Sequence, residues 1–144
     1  MRPDSRLSRM LHVLLHMQGQ EQPMPSDLIA EMLGINPGVV RRTMSDLRKA
    51  GLLDAAKGHG GGWSLARPLG DISLLAVYEA LGEPNLFALG PVIDSPTCAL
   101  ETAANSSLRE GLGRATNAFR AHLKATTLAD LIANASLLQS PPQA

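Results

Sequence analysis

The sequence has little cysteine, few aromatic residues and no long apolar run, and each shortage excludes a class of protein. The single cysteine, Cys98, excludes an internal disulfide framework and a zinc site built from four cysteines. No stretch approaches the roughly 20 consecutive apolar residues of a membrane-spanning helix, so no membrane association is predicted. Residues 1–6 lack the apolar segment and cleavage site of a signal peptide. These features predict a soluble, cytoplasmic protein.

The scarcity of aromatic residues favours a helical fold. Only one Trp, one Tyr and two Phe are present, although 44% of the 144 residues are hydrophobic, so the core must consist of aliphatic side chains. A chain of this length can bury a substantial core. Its richness in Leu and Ala favours helices over an all-β fold.

The formal net charge is zero, yet the charge is unevenly distributed along the chain. Residues 41–67 contain six basic side chains and only two acidic ones. The basic residues are Arg41, Arg42, Arg48, Lys49, Lys57 and Arg67. A local positive patch is sufficient for binding a phosphate backbone, and a dimer would present it twice.

Three helices are predicted in the first 50 residues. Apolar periodicity indicates a helix over about residues 5–18. Ser26 stands at the expected N-cap of a second helix, which Gly34 ends in a left-handed turn. Asn36 is the predicted N-cap of a third helix, and its neighbour Pro37 suits the first helical turn. Two helices joined by so short a turn are typical of a helix–turn–helix.

The third helix separates into an apolar and a basic side. Val40, Thr43, Met44 and Leu47 face one way, and the opposite side carries the arginines. An arginine-rich helix fits the major groove, where Arg can bond guanine bidentately, and the N-terminal part of the helix reaches the bases. We therefore predict base reading by Arg41, Arg42 and Ser45 and phosphate binding by Arg48 and Lys49. Further DNA contacts are expected from Ser26, Asn36, Gly38 and Val39.

A glycine-rich hairpin follows the third helix. Residues 52–57 and 63–67 read as two short strands around the turn GHGGG at 58–62. We predict that this wing contacts phosphates or the minor groove through Lys57, His59, Gly60 and Gly61, although a flexible surface hairpin would have the same sequence. The spacing excludes a nucleotide-binding glycine loop.

The second half of the chain is predicted to form a dimer. After a short helix over residues 74–81 and an irregular connection, apolar residues recur at steps of three and four from about 98 to 125, as in a coiled-coil seam. The fold prediction is thus mainly α with a small β-hairpin. The predicted divisions are a winged helix–turn–helix domain (1–82), a connecting loop (83–97), a dimerisation helix with a short final helix (98–138) and a flexible tail (139–144). The predicted dimer contacts are Leu108, Leu112, Ala115, Phe119 and Leu123.

Two further features have competing interpretations. His12 and His16 are four residues apart and such a pair can hold a metal, but a third ligand is not evident, so no metal site is predicted. Cys98 opens the long helix, where a thiol has a lowered pKa, so it is a candidate redox sensor, while an inert buried cysteine fits equally well. No arrangement of catalytic residues is recognisable, and no enzyme activity is predicted.

Five segments resemble a known family. RLS at 6–8, LGINPGVVRR at 33–42, LRKAGL at 47–52, KGHGGGW at 57–63 and TTLADL at 126–131 are similar to the Rrf-two family of bacterial winged-helix regulators. The resemblance implies a homodimer whose long helices pack together on a pseudo-palindromic operator. It also implies base reading by Arg41 and Arg42 and a basic wing residue at Lys57.

One departure from the family limits what the resemblance implies. Members that bind an iron–sulfur cluster carry three cysteines near the start of the long helix, whereas this chain has only Cys98. It resembles the cluster-free branch, so no cofactor is predicted, and a small-molecule effector, a partner protein or the thiol remains as the signal. The predicted function is a homodimeric regulator, a repressor by family resemblance, that binds double-stranded DNA. The alternatives are a redox sensor switched at Cys98 and a winged-helix module that binds protein instead of DNA.

Overall fold

The computed structural model describes residues 3–91 and 98–139, and side chains as far as Ser136. The described residues form six α-helices, one short 3₁₀ turn and one two-stranded antiparallel hairpin, so the mainly α fold with a small hairpin is confirmed. In chain order the elements are α1 (Arg6–His16), α2 (Ser26–Leu33), α3 (Pro37–Lys49), β1 (Leu53–Ala56), β2 (Gly62–Leu65), the 3₁₀ turn (Leu69–Asp71), α4 (Leu74–Ala80), α5 (Ala99–Ala125) and α6 (Leu128–Gln139). None of these described helices is both long and apolar enough to cross a membrane.

The turn between α2 and α3 has the geometry that its sequence indicates. Gly34 adopts φ +64°, which ends α2, and Pro37 is the first residue of α3. The side chain of Asn36 accepts a hydrogen bond from the backbone N–H of Gly38 at 2.7 Å. This bond satisfies one of the amides left free at the helix start, so the predicted cap is confirmed.

The predicted N-cap of α2 is wrong. Pro25 occupies that position, and Ser26 is the first helical residue. The Ser26 Oγ accepts a hydrogen bond from the indole Nε1 of Trp63 at 2.9 Å instead of capping its own helix. The serine therefore joins the start of α2 to the wing, a partner 37 residues away that local capping rules do not consider.

The hairpin is attached to the helices by a backbone bridge. Its strands pair from Leu53 opposite Leu65 to Ala56 opposite Gly62. Beyond this ladder, Met24 and Trp63 exchange two backbone hydrogen bonds, each of 2.9 Å. The segment before α2 thus serves as a short third strand and fixes the base of the wing.

The final helix belongs to the same core as the first four. The Leu128 N–H donates to the Ile72 carbonyl at 3.0 Å, and Leu128 is fully buried. A capping box starts α6, since Thr127 and Asp130 exchange hydrogen bonds between side chain and backbone. The predicted boundary at residue 98 is therefore not a boundary between cores, because α6 packs on the winged-helix body. Residues 92–97 of the predicted connecting loop and 140–144 of the predicted tail lie outside the described residues.

A polar cluster joins α4 to α5. The Arg120 guanidinium binds the carboxylates of Glu79 at 2.7 Å and Glu83 at 3.1 Å. Beside it, the Tyr78 hydroxyl donates to the Pro84 carbonyl at 2.8 Å, and the Tyr78 ring meets Phe119 edge to face. These contacts fix the C-terminal half of α5 against the body, while most side chains from residue 98 to 118 remain exposed.

We expect Gly62→Ala to destabilise the fold through the wing attachment. Gly62 has φ +154°, and a Cβ there would lie 2.5 Å from the Met24 carbonyl oxygen. Displacing this backbone should cost about 1–3 kcal/mol. Urea unfolding monitored by Trp63 fluorescence measures the change. Gly90→Ala is the control, because a Cβ there meets nothing within 4 Å, and an equal loss of stability in both variants would contradict the explanation.

Candidate nucleic-acid interface

The basic side of α3 faces outward because its apolar side is completely buried. Val40, Met44 and Leu47 each have 0% exposure and anchor the helix to the core. A side chain at the opposite side of a helix of 3.6 residues per turn must then face solvent. The exposed basic side chains are Arg41, Arg42, Arg48 and Lys49, with Ser45 half-buried beside them.

Two carboxylates accompany this basic surface. The Asp27 carboxylate, in the first turn of α2, lies 3.9 Å from the Arg41 guanidinium, and Asp46 lies 3.7 Å from Lys49. Both ion pairs are exposed, and such pairs contribute only about 0–1 kcal/mol of stabilising free energy. They therefore do not prevent Arg41 and Lys49 from binding a stronger ligand. Arg42 and Arg48 form no ion pair with any residue that the structure describes. Sequence reasoning missed Asp27, since only the packing of α2 on α3 brings it to Arg41.

The start of α3 presents small and polar groups next to the arginines. Asn36 is exposed, but its Oδ1 is committed to the helix cap, which leaves the amide nitrogen as its free donor. Val39 is 39% exposed and can contact apolar groups such as the thymine methyl. Gly38 is half-buried, and a Cβ there would approach Asn36 Oδ1 to 2.9 Å. Their contacts with DNA stay predictions.

The tip of the wing is exposed and closed by one backbone bond. Lys57, His59 and Gly60 are exposed, and the Gly61 N–H donates to the Gly58 carbonyl at 3.0 Å. A Cβ on Gly61 would collide with the Ala56 carbonyl, so this glycine is required by the hairpin itself. The wing therefore offers a single lysine, a histidine and bare backbone to a ligand.

Ser26, the first residue of α2, lies at the base of the wing. It is half-buried, and its oxygen is the acceptor for the Trp63 indole N–H. Its own hydroxyl proton remains a donor. Trp63 is a positioning residue that sequence reasoning did not single out. Its place directly after the glycine turn is the signal that could have identified it.

The predicted dimer contacts divide into two groups. Leu108 is 50% exposed and Ala115 is exposed, while Leu112 and Phe119 are half-buried. Leu123 is only 3% exposed and belongs to the core of its own chain, so its prediction as a dimer contact is wrong. Apolar periodicity cannot distinguish a residue buried by its own chain from one that a partner buries.

A groove opens between the start of α1, the segment after α4, and α5. Its volume is about 920 Å³. Leu7, Tyr78, Leu86 and Phe119 are part of its apolar wall. At its rim, Asp4 and Arg6 form an ion pair of 2.7 Å, which lowers the pKa of the Asp4 carboxyl mainly through their side-chain hydrogen bonds. The groove thus adjoins both the helical body and the long helix α5.

Cys98 is the N-cap of α5 and is exposed, which excludes the buried, inert interpretation. The backbone amides of Glu101 and Leu100, at the start of α5, lower the pKa of its thiol. The amides of a helix start stabilise the negative charge of a thiolate. The expected lowering of the pKa is therefore confirmed, whereas a role in sensing stays a prediction.

These elements define the class of protein. An arginine-bearing helix preceded by a packed helix and a tight turn, with a glycine-rich hairpin beside it, is a winged helix–turn–helix, the architecture of a DNA-binding module. The match to a family model makes the assignment specific. Residues 4–134 match the Rrf2 model, described as an iron-dependent transcriptional regulator. The chain belongs to the Rrf2 family of transcriptional regulators, proteins that bind DNA and are not enzymes.

Individual relatives support this membership. The chain is 32% identical over 130 residues to YwnA of Bacillus subtilis (strain 168), a candidate HTH-type transcriptional regulator. This match covers 90% of this chain and 96% of YwnA. It is 39% identical over 77 residues to the HTH-type transcriptional regulator IscR of Xenorhabdus nematophila, a match of 54% of this chain but only 46% of IscR. The crystal structure of a candidate transcriptional regulator from Lactobacillus plantarum superposes with a TM-score of 0.77 at 25% identity, covering 92% of this chain and 90% of that one.

The iron named in the family description does not fit the ligands of this chain. Cys98 is the sole cysteine of the sequence, and the described residues contain no group of three or more His, Cys, Asp or Glu side chains that could hold a metal. Cluster ligation requires several thiolates or imidazoles around one site. The described residues therefore do not supply the ligands of an iron–sulfur cluster.

We expect Cys98 to react with iodoacetamide as a thiol of lowered pKa. The rate of alkylation follows the thiolate fraction, so its half-maximum should fall below the pH of about 8.5 that an ordinary cysteine shows. Mass spectrometry of the intact chain over a pH series measures the rate. Unfolding in urea is the control, because it removes the helix amides. The same midpoint in folded and unfolded protein would contradict the role of those amides.

Proposed function

We propose that this protein is a sequence-specific transcriptional repressor that binds a pseudo-palindromic operator as a homodimer. The observation that carries the proposal is the exposed basic side of α3, with Arg41 and Arg42 near its start and its apolar side fully buried. Arginines at that end of a recognition helix reach base edges. In this proposal the bound protein excludes polymerase from the promoter and acts in the cytoplasm, where the operator lies.

The apolar stripe of α5 supports the homodimer. At 1.5 Å per residue its 27 residues extend about 40 Å. Leu100 is 81% exposed and Leu108 is 50% exposed, and both lie on the stripe that continues to Leu112. A second copy of the same helix would cover these side chains and bring two basic surfaces to one side of the assembly. Two winged helix–turn–helix units related by a two-fold axis match DNA half-sites about 34–36 Å apart.

The groove beside Phe119 supports regulation by a small molecule. Its volume of about 920 Å³ lies within the range of ligand sites, and its apolar wall with an ion pair at the rim suits an amphipathic organic ligand. Thiol sensing is the second candidate, favoured by the exposure and the lowered pKa of Cys98. Operator affinity before and after mild oxidation, in the parent and in Cys98→Ser, distinguishes them, because only thiol sensing depends on that residue.

We expect Arg41→Ala to lose affinity for the selected operator by about 1–3 kcal/mol and to relax the base preference at one position. Lys57→Ala should weaken binding to all sequences alike, with a shallower salt dependence. Operators are first selected from a random duplex pool, and affinities are then measured by fluorescence anisotropy at several salt concentrations.

Matched controls for this experiment lie on α5. Arg114 and Lys124 are exposed on that helix, so Arg114→Ala and Lys124→Ala remove the same charges away from the basic surface. Equal losses for Arg41→Ala on operator and random duplex would refute base reading. Absence of duplex binding by the parent would instead favour a winged helix that binds protein.

We expect Leu108→Asp to convert the dimer into a monomer in light scattering. The side chain is half exposed in the single chain, so the charge would be tolerated by the fold but not by an apolar interface. Asn117→Asp is the control, since Asn117 is exposed on the same helix away from the stripe. A parent protein of monomeric mass, or a Leu108→Asp variant of dimeric mass, would refute the proposed interface.

A further inference from the structure

Two histidines point at each other on the exposed side of α1. The Nε2 atoms of His12 and His16 are 2.9 Å apart, with ring centroids 4.6 Å apart and planes inclined by 68°. Both side chains are exposed to solvent. The opposite side of the helix is buried in the core through Met10, Val13, Leu14 and Met17. The body therefore fixes the helix turn that holds the two rings.

The distance between the two nitrogen atoms suits one type of metal coordination. A transition metal binds imidazole nitrogen at about 2.0–2.1 Å. Two such ligands in adjacent positions of a square-planar or octahedral ion subtend about 90°, which separates the nitrogens by about 2.9 Å. A tetrahedral ion such as Zn²⁺ opens this angle to about 109° and needs about 3.3 Å. The observed distance is that of a hydrogen bond between the two rings, and it equals the separation that the first arrangement needs. Because both side chains are exposed, they can rotate to direct their nitrogens at one ion.

We propose that His12 and His16 form a surface chelate for a divalent transition-metal ion of tetragonal preference, with Cu²⁺ bound most tightly. Cu²⁺ stands at the top of the affinity order for nitrogen ligands and prefers the 90° arrangement. Both rings bind through Nε2 and remain neutral, with the ring proton on Nδ1. Any proton carried by either Nε2 atom moves to Nδ1 or to solvent when the ion enters.

The chelate has two protein ligands and is otherwise open. No third His, Cys, Asp or Glu among the described residues joins the pair in a metal-binding group, so water fills the other positions. Affinity then depends on preorganisation, because the ion closes a ring between side chains that the helix already holds one turn apart. This site is separate from Cys98, from the basic side of α3 and from the groove beside Phe119.

The test titrates CuCl₂ into the full-length protein carrying Cys98→Ser, which removes the thiol that Cu²⁺ would oxidise. Isothermal calorimetry should give one ion per chain in a buffer that does not bind copper, and electron paramagnetic resonance should show coupling to two nitrogen ligands. His12→Ala and His16→Ala should each lower the affinity by on the order of tenfold or more, because each leaves a single ligand.

The remaining histidines of the chain are matched controls. His59, in the wing, and His122, on α5, are exposed single imidazoles, and His59→Ala and His122→Ala should bind as the parent does. The proposal would be overturned if the single variants His12→Ala and His16→Ala each bound Cu²⁺ as tightly as the parent does. Loss of Cu²⁺ binding in His59→Ala or in His122→Ala would also overturn it. Tighter binding of Zn²⁺ than of Cu²⁺ would overturn the assigned geometry.

Thermal unfolding provides an independent readout. An ion that binds only the folded helix raises the unfolding midpoint. Ni²⁺, which does not oxidise the protein, should therefore raise the midpoint of the parent and not that of His16→Ala, and EDTA should reverse the shift. Circular dichroism without metal verifies that each variant is folded. An equal Ni²⁺ shift in the parent and in both histidine variants would count against the chelate.

Discussion

The burial of one side of α3 is the constraint on which the rest of the molecule depends. Val40, Met44 and Leu47 are completely removed from water, and releasing any of them would cost several times the energy of a surface ion pair. The rotation of the helix about its axis is therefore fixed by the core alone. Arg41, Arg42 and Arg48 face outward as a consequence, and the basic surface exists before any ligand arrives.

The wing acquires its position from its attachment to the helical body, on whose core Leu53 and Leu65 pack, rather than from a core of its own. An isolated two-stranded hairpin is marginal in water, and this one has only four residues in each strand. The backbone bridge from Met24 to Trp63, the indole bond to Ser26 and the absence of a side chain at Gly62 attach its base to the start of α2. Lys57 and His59 thus project from an exposed turn on an anchored base.

Local rules predicted the elements well and their long-range partners poorly. The Asn36 cap, the Gly34 stop and the hairpin were all predicted correctly, because each depends on residues close in sequence. The errors involve partners distant in sequence. Ser26 bonds Trp63, Leu123 packs into its own chain and α6 returns to the body, and no periodicity encodes such contacts. The DNA contacts themselves stay predictions, because surface charge identifies a binding side but not which base each arginine meets.

The return of α6 to the body also determines when the molecule can be completed during synthesis. Helix α6 packs against α1, the first helix of the chain, and Leu123 and Leu128 lie in the core that α1 and α4 share. A growing chain that has emerged from the ribosome only as far as residue 98 lacks these side chains, so part of the apolar core of its winged-helix portion is uncovered. The core is therefore complete only after the long helix and α6 have been translated, so a product that ends before them would lack part of its core.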